Sequence, residues 1–333
     1  MAGKRSRVEE PSTSVGGKKR KVKGSWNLMR IMSELGTNEQ CVKFAEDNGL
    51  IPKTMVCSVH KTFMNFRRNG NKVGYFLCSR GTCRKKSCIS RATGTWFENA
   101  RLSLPHIYYL MYCFAHRFTE EAVIREDFIL DGTSISTSTI VDWFGFCREA
   151  VISYQLDHQE YSGKIGGPGK IVQIGESKFG TIKYNKLRNI ESHWALRMVE
   201  NNCTDLRFEL CPENDCSFED IIPLIEKHVL KGSIIQMDSR EVNDRLQEHG
   251  YLVAKAKHGE AIDPLATEDG NRREQIESQA RLVRRLFNAK FHNTSGNFGD
   301  IITEYIWRRS IKTNKKDAFL ALVEAIKYVY NEN

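Results

Sequence analysis

Four side chains that are good zinc ligands stand in two pairs near the front of the chain. Two residues separate Cys57 from His60, and four residues separate Cys78 from Cys83. Between the pairs, residues 69–71 (Asn-Gly-Asn) predict a hairpin turn flanked by short strands. Two such pairs on adjacent hairpins would bring four ligands to one tetrahedral zinc ion of the closed structural type. Because this segment has so little apolar core, zinc would supply much of its folding free energy.

Two alternatives stay open for these cysteines. The chain has 10 cysteines, and its first residues are polar and basic, so no secretory signal is expected. Metal binding or free thiols are therefore expected rather than disulfides, as in a reducing compartment. Cys88 could replace Cys83 as the fourth ligand, and free buried or surface thiols are the alternative to zinc.

Acidic side chains form a second group, at the predicted ends of buried strands. One apolar strand breaks into Gly175 and Glu176, and a later one ends at Asp238. Glu277 lies on a predicted helix able to face both strand ends. Three carboxylates around such a crevice could hold two Mg²⁺ ions about 4 Å apart and drive in-line attack on a phosphodiester. The first strand end, however, offers Gly175 where a carboxylate is needed.

Basic side chains are concentrated in two stretches of a chain whose net charge is +9. Residues 1–24 carry eight Lys or Arg against two Glu, and residues 51–96 carry ten Lys or Arg and no acid. A basic front of this kind favours contact with a polyanion, so DNA is the expected partner. The residues expected to contact DNA in the zinc segment are Arg67, Arg68, Arg84, Lys85 and Lys86.

The tail, residues 1–24, lacks aromatic residues and apolar periodicity and is expected to be disordered. Its two basic clusters resemble a bipartite nuclear-import signal, which predicts a nuclear protein. A solvated basic tail without that role is the alternative. No run of about 18 apolar residues occurs, so no membrane-spanning helix is expected. The two clusters consist of Lys4, Arg5, Lys18, Lys19, Arg20 and Lys21.

Helical patterns lie on both sides of the zinc segment. Residues 26–48 predict a helical pair that ends at Gly49. The Gly/Pro-rich segment 164–170 matches no phosphate-loop motif, so we interpret it as a linker and domain boundary. The predicted units are a basic tail (1–24), a helical pair (25–54), a zinc ribbon (55–100), a helical segment (101–163), an α/β domain (164–311) and a C-terminal helix (312–333).

The helical segment resembles a helix-turn-helix, with three predicted helices over residues 101–155. Ser103 is the expected N-cap of the first helix, and Ser138 or Thr139 that of the third. The third helix offers only Arg148 as a base. A helical spacer, or a contact with phosphate alone, is therefore favoured over base recognition.

The α/β domain shows the order strand, strand, strand, helix, strand, helix. The strands at 171–176, 193–200 and 206–210 precede a helix at 218–230 and a buried strand at 233–238. A three-strand meander followed by a helix and a parallel strand indicates an RNase H-like α/β layer. In such a sheet the adjacent ends of the first and fourth strands open into one crevice.

The segment IGGPGKIVQIGESKFGTIKYN (165–185) resembles the IGGPG-I-V-x-I-D-E-S-K-F-G-x-x-K-Y-N signature of Merlin-superfamily DDE transposases and their ISXO-like bacterial relatives. The similarity covers about residues 25–330. It continues in GSIIQMD (232–238), Asp263-Pro264, Ile276–Ser278, YIWRR (305–309) and TGTWFENARLSL (93–104).

The resemblance implies an RNase H-like DDE domain whose catalytic acids fall on positions 175, 238 and 277. Its first acid is replaced by Gly175, while Asp238 and Glu277 match. Loss of efficient catalysis is the favoured outcome, since the missing ligand serves both metal ions. Rescue by Glu176 through a strand bulge is one alternative. An introduced substitution in an otherwise active enzyme is another.

Three functions follow from the resemblance. The first is a domesticated, transposase-derived nuclear DNA-binding protein with weak or lost cleavage and strand transfer, whose core serves as a scaffold or homodimer partner. The second is an active Mg²⁺-dependent transposase that cleaves terminal inverted repeats. The third is an interaction protein that no longer binds DNA. Zinc is expected as a structural cofactor, and Mg²⁺ as a catalytic one only in the second.

Overall fold

The computed structural model describes residues 24–68, 73–81, 83, 88–129, 135–179, 193–201, 203, 205–211, 217–237, 242, 245–254 and 298–331. Within these residues the protein is a mixed α/β fold of eight helices and three sheets. The helices are α1 (Leu28–Leu35), α2 (Asn38–Asp47), α3 (Leu104–Ala115), α4 (Glu120–Arg125), α5 (Thr137–Tyr161), α6 (Phe218–His228), α7 (Phe298–Thr313) and α8 (Ala318–Asn331). The strands are β1 (Asn65–Arg67), β2 (Tyr75–Leu77), β3 (Cys88–Ser90), β4 (Ile165–Gly166), β5 (Ile171–Phe179), β6 (His193–Glu200), β7 (Leu206–Leu210), β8 (Val229–Leu230), β9 (Ile234–Gln236) and β10 (Leu252–Val253). Among the described helices, none has the length and apolarity to cross a membrane.

The front helical pair, α1 and α2, begins at side-chain caps encoded in the sequence. Asn27 accepts a hydrogen bond from the backbone N–H of Arg30 at the start of α1. Thr37 and Gln40 form a reciprocal capping box at the start of α2. The chain leaves α2 through Gly49, whose φ of 72° is left-handed, at the position where the sequence predicts the end of the pair.

The helix α3 lies at the centre of the helical part of the molecule. All of its residues are buried. The reason is that α1, α2, α5 and α8 all pack against it. Ser103 precedes α3 as predicted, but its hydroxyl lies 3.0 Å from His106 Nδ1 and makes no cap to the backbone.

The third helix of this segment, α5, begins slightly earlier than predicted. Its N-cap is Ser136, which accepts from the backbone N–H of Thr139, so the predicted caps Ser138 and Thr139 were wrong. Arg148 lies with its Nε 2.9 Å from Glu304 of α7, in a partly buried ion pair. This internal pairing favours the helical-spacer interpretation of α5 over a phosphate contact by Arg148.

One hydrophobic core joins helices from both ends of the chain. The ring of Trp26, ahead of α1, lies 5.0 Å from that of Phe319 in α8, and the Phe44 ring lies 5.9 Å from the same side chain. The backbone N–H of Trp26 donates to Asp317 at 2.6 Å. We call this set of helices, α1–α5 with α8 and the end of α7, the helical core.

A five-stranded sheet forms the second core, in the order β10-β9-β5-β6-β7. β5, β6 and β7 form an antiparallel meander, while β9 runs parallel to β5 and β10 parallel to β9. α6 shares a core with Val172 and Ile174 on one face of the sheet. α7 covers Ala195 and Phe208 on the other face. We refer to these as the α6 face and the α7 face.

Residues 164–170, which we predicted to be a linker, are folded onto the sheet. A Cβ on Gly166, whose φ is 86°, would collide with the Ser233 hydroxyl. That hydroxyl accepts a hydrogen bond from Gly167 N–H at 2.8 Å, and Glu200 accepts from Gly166 N–H at 2.9 Å. The linker interpretation was therefore wrong, because here glycine allows the backbone to approach its neighbours closely.

The helix α7 connects the two cores. Tyr305 packs on the sheet and Trp307 belongs to the helical core. Arg308 donates to the last two carbonyl groups of α3, each at 2.9 Å, and lies 2.6 Å from Glu304. A cation at a helix C-terminus is favourable, so the YIWRR motif (305–309) has a structural role in joining the cores.

Candidate metal centre and candidate acidic site

The side chains predicted to bind zinc converge on one point. Their ligand atoms lie within 4.8 Å of one another in a group formed by Cys57, His60, Cys78 and Cys83. Cys57 Sγ is 3.8 Å from both Cys83 Sγ and His60 Nδ1, and Cys78 Sγ is 3.6 Å from His60 Nδ1. Tetrahedral zinc with Zn–S bonds of about 2.3 Å and Zn–N bonds of about 2.05 Å gives edges of roughly 3.8 Å for S···S and 3.6 Å for S···N. The donor set and its spacing therefore fit one tetrahedral metal ion.

The fourth member of the group is Cys83 and not Cys88. Cys88 is an exposed residue of β3, opposite Leu77 of β2, and lies outside the group. The backbone N–H of Cys83 donates to the Arg80 carbonyl at 2.9 Å, which closes a turn after β2. The alternative in which Cys88 replaces Cys83 is therefore not favoured.

The first ligand pair lies on a tight turn. Cys57 N–H donates to the Thr62 carbonyl, and Lys61 N–H donates to the Cys57 carbonyl, each at 2.9 Å. Lys61 has φ of 52°, an uncommon left-handed conformation for a residue with a side chain. This turn brings His60 back over Cys57, so local backbone geometry sets the spacing of the pair.

The thiols of the group differ in acidity. The backbone N–H groups of His60 and Val59 point at the Cys57 sulfur and, with the His60 ring, lower the pKa of the Cys57 thiol to about 6. Burial raises the pKa of the Cys83 thiol, and the charges of its sulfur neighbours add to that rise. A thiolate is the form that binds a metal ion, and Cys57 is thus prepared for that role.

The ribbon is defined here as residues 55–90, and its described residues form almost no hydrophobic core of their own. Its buried cluster consists of Met64, Phe76 and the candidate ligands Cys57 and Cys78. Such a cluster is too small to hold three short strands by apolar burial alone. The candidate metal-binding group therefore occupies the place where a core would otherwise be.

Arg91 attaches the ribbon to the helical core. It is 1% exposed, with Nη2 2.6 Å from Glu46 of α2 and Nε 2.7 Å from the Pro52 carbonyl. Its guanidinium also lies 4.9 Å from the centre of the Phe66 ring. Arg91 therefore ties the ribbon, including Phe66 of β1, to α2 and the loop after it.

The outer edge of the ribbon carries basic side chains. Every residue of β1, Asn65–Arg67, is exposed. Arg68 follows, 2.9 Å from Glu39, and both of these side chains are 81% exposed, which makes a weak ion pair. Two guanidinium groups are thus accessible along one edge. The other predicted DNA contacts, Arg84, Lys85 and Lys86, lie outside the described residues.

Gly175 and Glu176 lie inside β5 and on opposite faces of the sheet. We predicted that the strand ends at 176, but it continues to Phe179. The pairing with β6 has no bulge, with Gly175 opposite Arg197 and Glu176 opposite Leu196. Side chains alternate along a strand, so Glu176 belongs to the α6 face. Rescue of the first acid by Glu176 through a bulge is therefore wrong.

Glu176 is half-buried on the face of the sheet that α6 covers. Burial raises the pKa of its carboxyl group.

The space beside Gly175 is taken by a guanidinium group. A Cβ built on Gly175 would lie 3.0 Å from Nη2 and 3.7 Å from Cζ of Arg197. Arg197 is 8% exposed and belongs, with Ala195 and Phe208, to the α7 face. The described group beside position 175 is therefore a cation, which cannot ligate Mg²⁺.

The remaining predicted site residues lie outside the described part of the chain. They are Asp238, Glu277 and the basic tail residues Lys4, Arg5, Lys18, Lys19, Arg20 and Lys21.

Sequence reasoning missed Arg91 and Arg197. A signal existed for Arg197, since it is the only base within the otherwise largely apolar stretch 194–199. A lone charge in a buried strand needs a particular environment. No comparable local signal marked Arg91, because its partners belong to α2 and the loop after it.

Comparisons with known proteins leave the family open. No family model and no curated protein matches the chain. Among solved structures, a chain of the simian T-cell lymphotropic virus intasome in complex with the PP2A regulatory subunit B56 gamma aligns with 11% identity and a TM-score of 0.27. The alignment covers 60% of this chain and 64% of that one, which is less than two thirds of its length. A likeness this weak carries no argument.

Proposed function

We propose that the protein binds duplex DNA through the outer edge of a zinc-held ribbon. The observation that carries this proposal is a candidate metal-binding group in the same small unit as two exposed arginines, Arg67 at the end of β1 and Arg68 directly after it. Cys57, His60, Cys78 and Cys83 would hold a structural zinc ion, which would fix the strands of the ribbon. Arg67 and Arg68 then supply phosphate contacts along β1.

The salt dependence of DNA affinity tests this proposal. Each phosphate contact contributes about 0.9 to the slope of log affinity against log salt, so Arg67→Ala and Arg68→Ala should each reduce the slope by about 1. Arg125→Ala is a matched control, because Arg125 is also an exposed arginine 2.9 Å from a carboxylate, but lies on α4. The proposal fails if the ribbon variants retain the full slope or if Arg125→Ala changes it equally.

We further propose that the five-stranded sheet is an RNase H-like domain of the Merlin transposase type. The strand order β10-β9-β5-β6-β7, with one antiparallel meander and two parallel strands, supports this assignment. The pair Gln173–Gln236 joins β5 to β9, and Gly175 and Asp238 each lie two residues farther along the chain. The proposed site would therefore combine these two positions with Glu277.

Efficient DNA cleavage is not part of the proposed function. A two-metal site needs oxygen ligands at both of these positions. On β5 the position holds Gly175, which has no side-chain oxygen, and the guanidinium of Arg197 lies beside it. Losing about 4 kcal/mol of transition-state stabilisation would already slow the chemistry roughly a thousandfold. Mg²⁺-dependent nicking of duplex DNA, with Asp238→Ala as the inactive control, would overturn this part of the proposal.

The cellular location we propose is the nucleus, on the basis of the two basic clusters in the tail. Removal of residues 1–23 should shift a fluorescent fusion of the chain out of the nucleus. An unchanged distribution would contradict this proposal and leave DNA binding by the ribbon untouched.

A further inference from the structure

Position 175 and its cross-strand neighbour share one space on the α7 face of the sheet. Gly175 and Arg197 are directly opposite in the antiparallel pair β5–β6, and the guanidinium lies where a side chain at 175 would begin. A glycine at 175 leaves this space open, and Arg197 takes it up. Where the proposed family places a carboxylate, the structure thus has a glycine with a guanidinium beside it.

We infer that the Arg197 guanidinium, rather than a metal ion, supplies the positive charge at this point of the sheet. It would also capture any carboxylate restored at position 175. Only the part of this inference that concerns metal binding rests on the proposed RNase H-like site. The pairing of positions 175 and 197 is independent of any function.

Geometry gives the reason. A Cβ at 175 is 3.0 Å from Arg197 Nη2, so a carboxylate one bond farther out would lie within hydrogen-bond reach of the guanidinium. Arginine stays protonated at all ordinary pH values and holds carboxylates through two parallel donors. Both side chains would be shielded by α7, where Tyr305 is 7% exposed. A restored acid would therefore be neutralised by arginine before it could bind Mg²⁺.

Gly175→Asp alone is therefore not expected to create a metal site. Arg197 is a second determinant, and metal binding requires its removal as well. A single change at 175 is expected to produce an ion pair inside the sheet.

The first test compares Gly175→Asp with Gly175→Asn in the full chain, since the two side chains have the same size. We expect the aspartate variant to melt about 2–4 °C higher at neutral pH. Pairing lowers the folded-state pKa of a carboxyl group, so this advantage should be lost as pH falls through that lowered value. An asparagine variant that is equally stable or more stable at neutral pH would overturn the inference. This comparison needs no Arg197 variant to fold.

The second test repeats both changes in an Arg197→Gln background and titrates each purified, zinc-loaded chain with Mn²⁺ by electron paramagnetic resonance. The advantage of aspartate over asparagine should disappear without the guanidinium. Gly175→Asp alone should bind Mn²⁺ no more tightly than the unaltered chain, whereas the double variant should bind it at least about tenfold more tightly.

The outcomes separate the two proposals. Tight Mn²⁺ binding by Gly175→Asp alone would overturn the role of Arg197. If the aspartate advantage depends on Arg197 but the double variant binds no Mn²⁺, the pairing stands and the proposed acidic site with Asp238 and Glu277 fails.

Discussion

At the scale of single residues, Cys88 offers a matched control for the candidate zinc ligands. Cys78→Ser should abolish the binding of one zinc ion per chain, because three ligands cannot close a structural site. Cys88→Ser should retain that zinc, since the exposed Cys88 lies outside the group. Native mass spectrometry of the purified chains measures the difference directly. Equal zinc content in the two variants would remove Cys78 from the site.

Glu176 supports a prediction with a defined pH dependence. Burial raises its folded-state pKa, so above that pKa the folded protein bears the cost of a partly desolvated charge. Glu176→Gln should therefore raise the melting temperature at neutral pH. The gain should shrink as pH falls and vanish below the ordinary pKa of glutamate, where the carboxyl is protonated in both states. Water still reaches this half-buried side chain, which keeps the effect small.

A calorimetric pH series checks this prediction. Destabilisation by Glu176→Gln at neutral pH would mean that the carboxylate has a charged partner or a bound cation, contrary to its position on the α6 face.

Residues were predictable from the sequence where their partners are close along the chain. Cys57 and His60 lie in one turn, so their spacing in the sequence predicts their contact. Arg197 approaches Gly175 only after β5 and β6 pair, and nothing in the spacing of 22 residues along the sequence fixes that register.

At the scale of elements, the ribbon depends on a glycine at the start of β2. Gly74 has φ of 91°, and a Cβ there would lie 2.5 Å from the Phe66 ring and 2.8 Å from the Arg67 carbonyl. Gly74→Ala should therefore destabilise the ribbon by more than the roughly 1 kcal/mol cost of a left-handed alanine. Gly94 has a similar φ of 73°, but a Cβ there would meet no neighbouring atom. Gly94→Ala therefore measures the backbone cost alone, without a steric clash.

Chemical denaturation of the two alanine variants gives the comparison. A Gly74→Ala variant no less stable than Gly94→Ala would contradict the close approach of Phe66 to the backbone of β2.

The attachment of the ribbon to α2 gives another element-scale prediction. Arg91→Ala would leave Glu46 without its buried partner and expose the Pro52 carbonyl, which should cost about 3–5 kcal/mol of unfolding free energy. Arg68→Ala removes an exposed pair with Glu39 and should cost at most about 1 kcal/mol. Equal costs in urea unfolding would show that Arg91 does not hold the ribbon in place.

Elements were predictable wherever local patterning agreed with the final environment. The strands β5, β6 and β7 and the helix α6 appear close to their predicted positions. Segment 164–170 was misinterpreted, because glycine and proline are typical of a flexible linker and equally of a tightly packed loop. The complete burial of α3 depends on helices that are remote in the sequence. The apolar pattern within α3 itself does not predict those contacts.

At the scale of the whole molecule, the two cores are joined by α7, and the last helix returns to the first. Contacts such as Trp26 with Phe319 cannot be read from the sequence, since the two residues lie near opposite ends of the chain and no local pattern links them. The uneven charge was visible from the start, and the structure places part of it on the exposed edge of the ribbon. Arg67 and Arg68, both exposed, belong to that edge.

The central claim is that zinc holds a basic ribbon in the form that binds DNA. The most direct measurement is the fluorescence anisotropy of a labelled DNA duplex titrated with the full chain, before zinc removal, after chelation and after zinc is returned. We expect affinity to fall by at least about tenfold on chelation and to recover with zinc, because the ribbon strands separate without the metal. Undiminished affinity in a chain shown by mass spectrometry to be free of zinc would contradict the account.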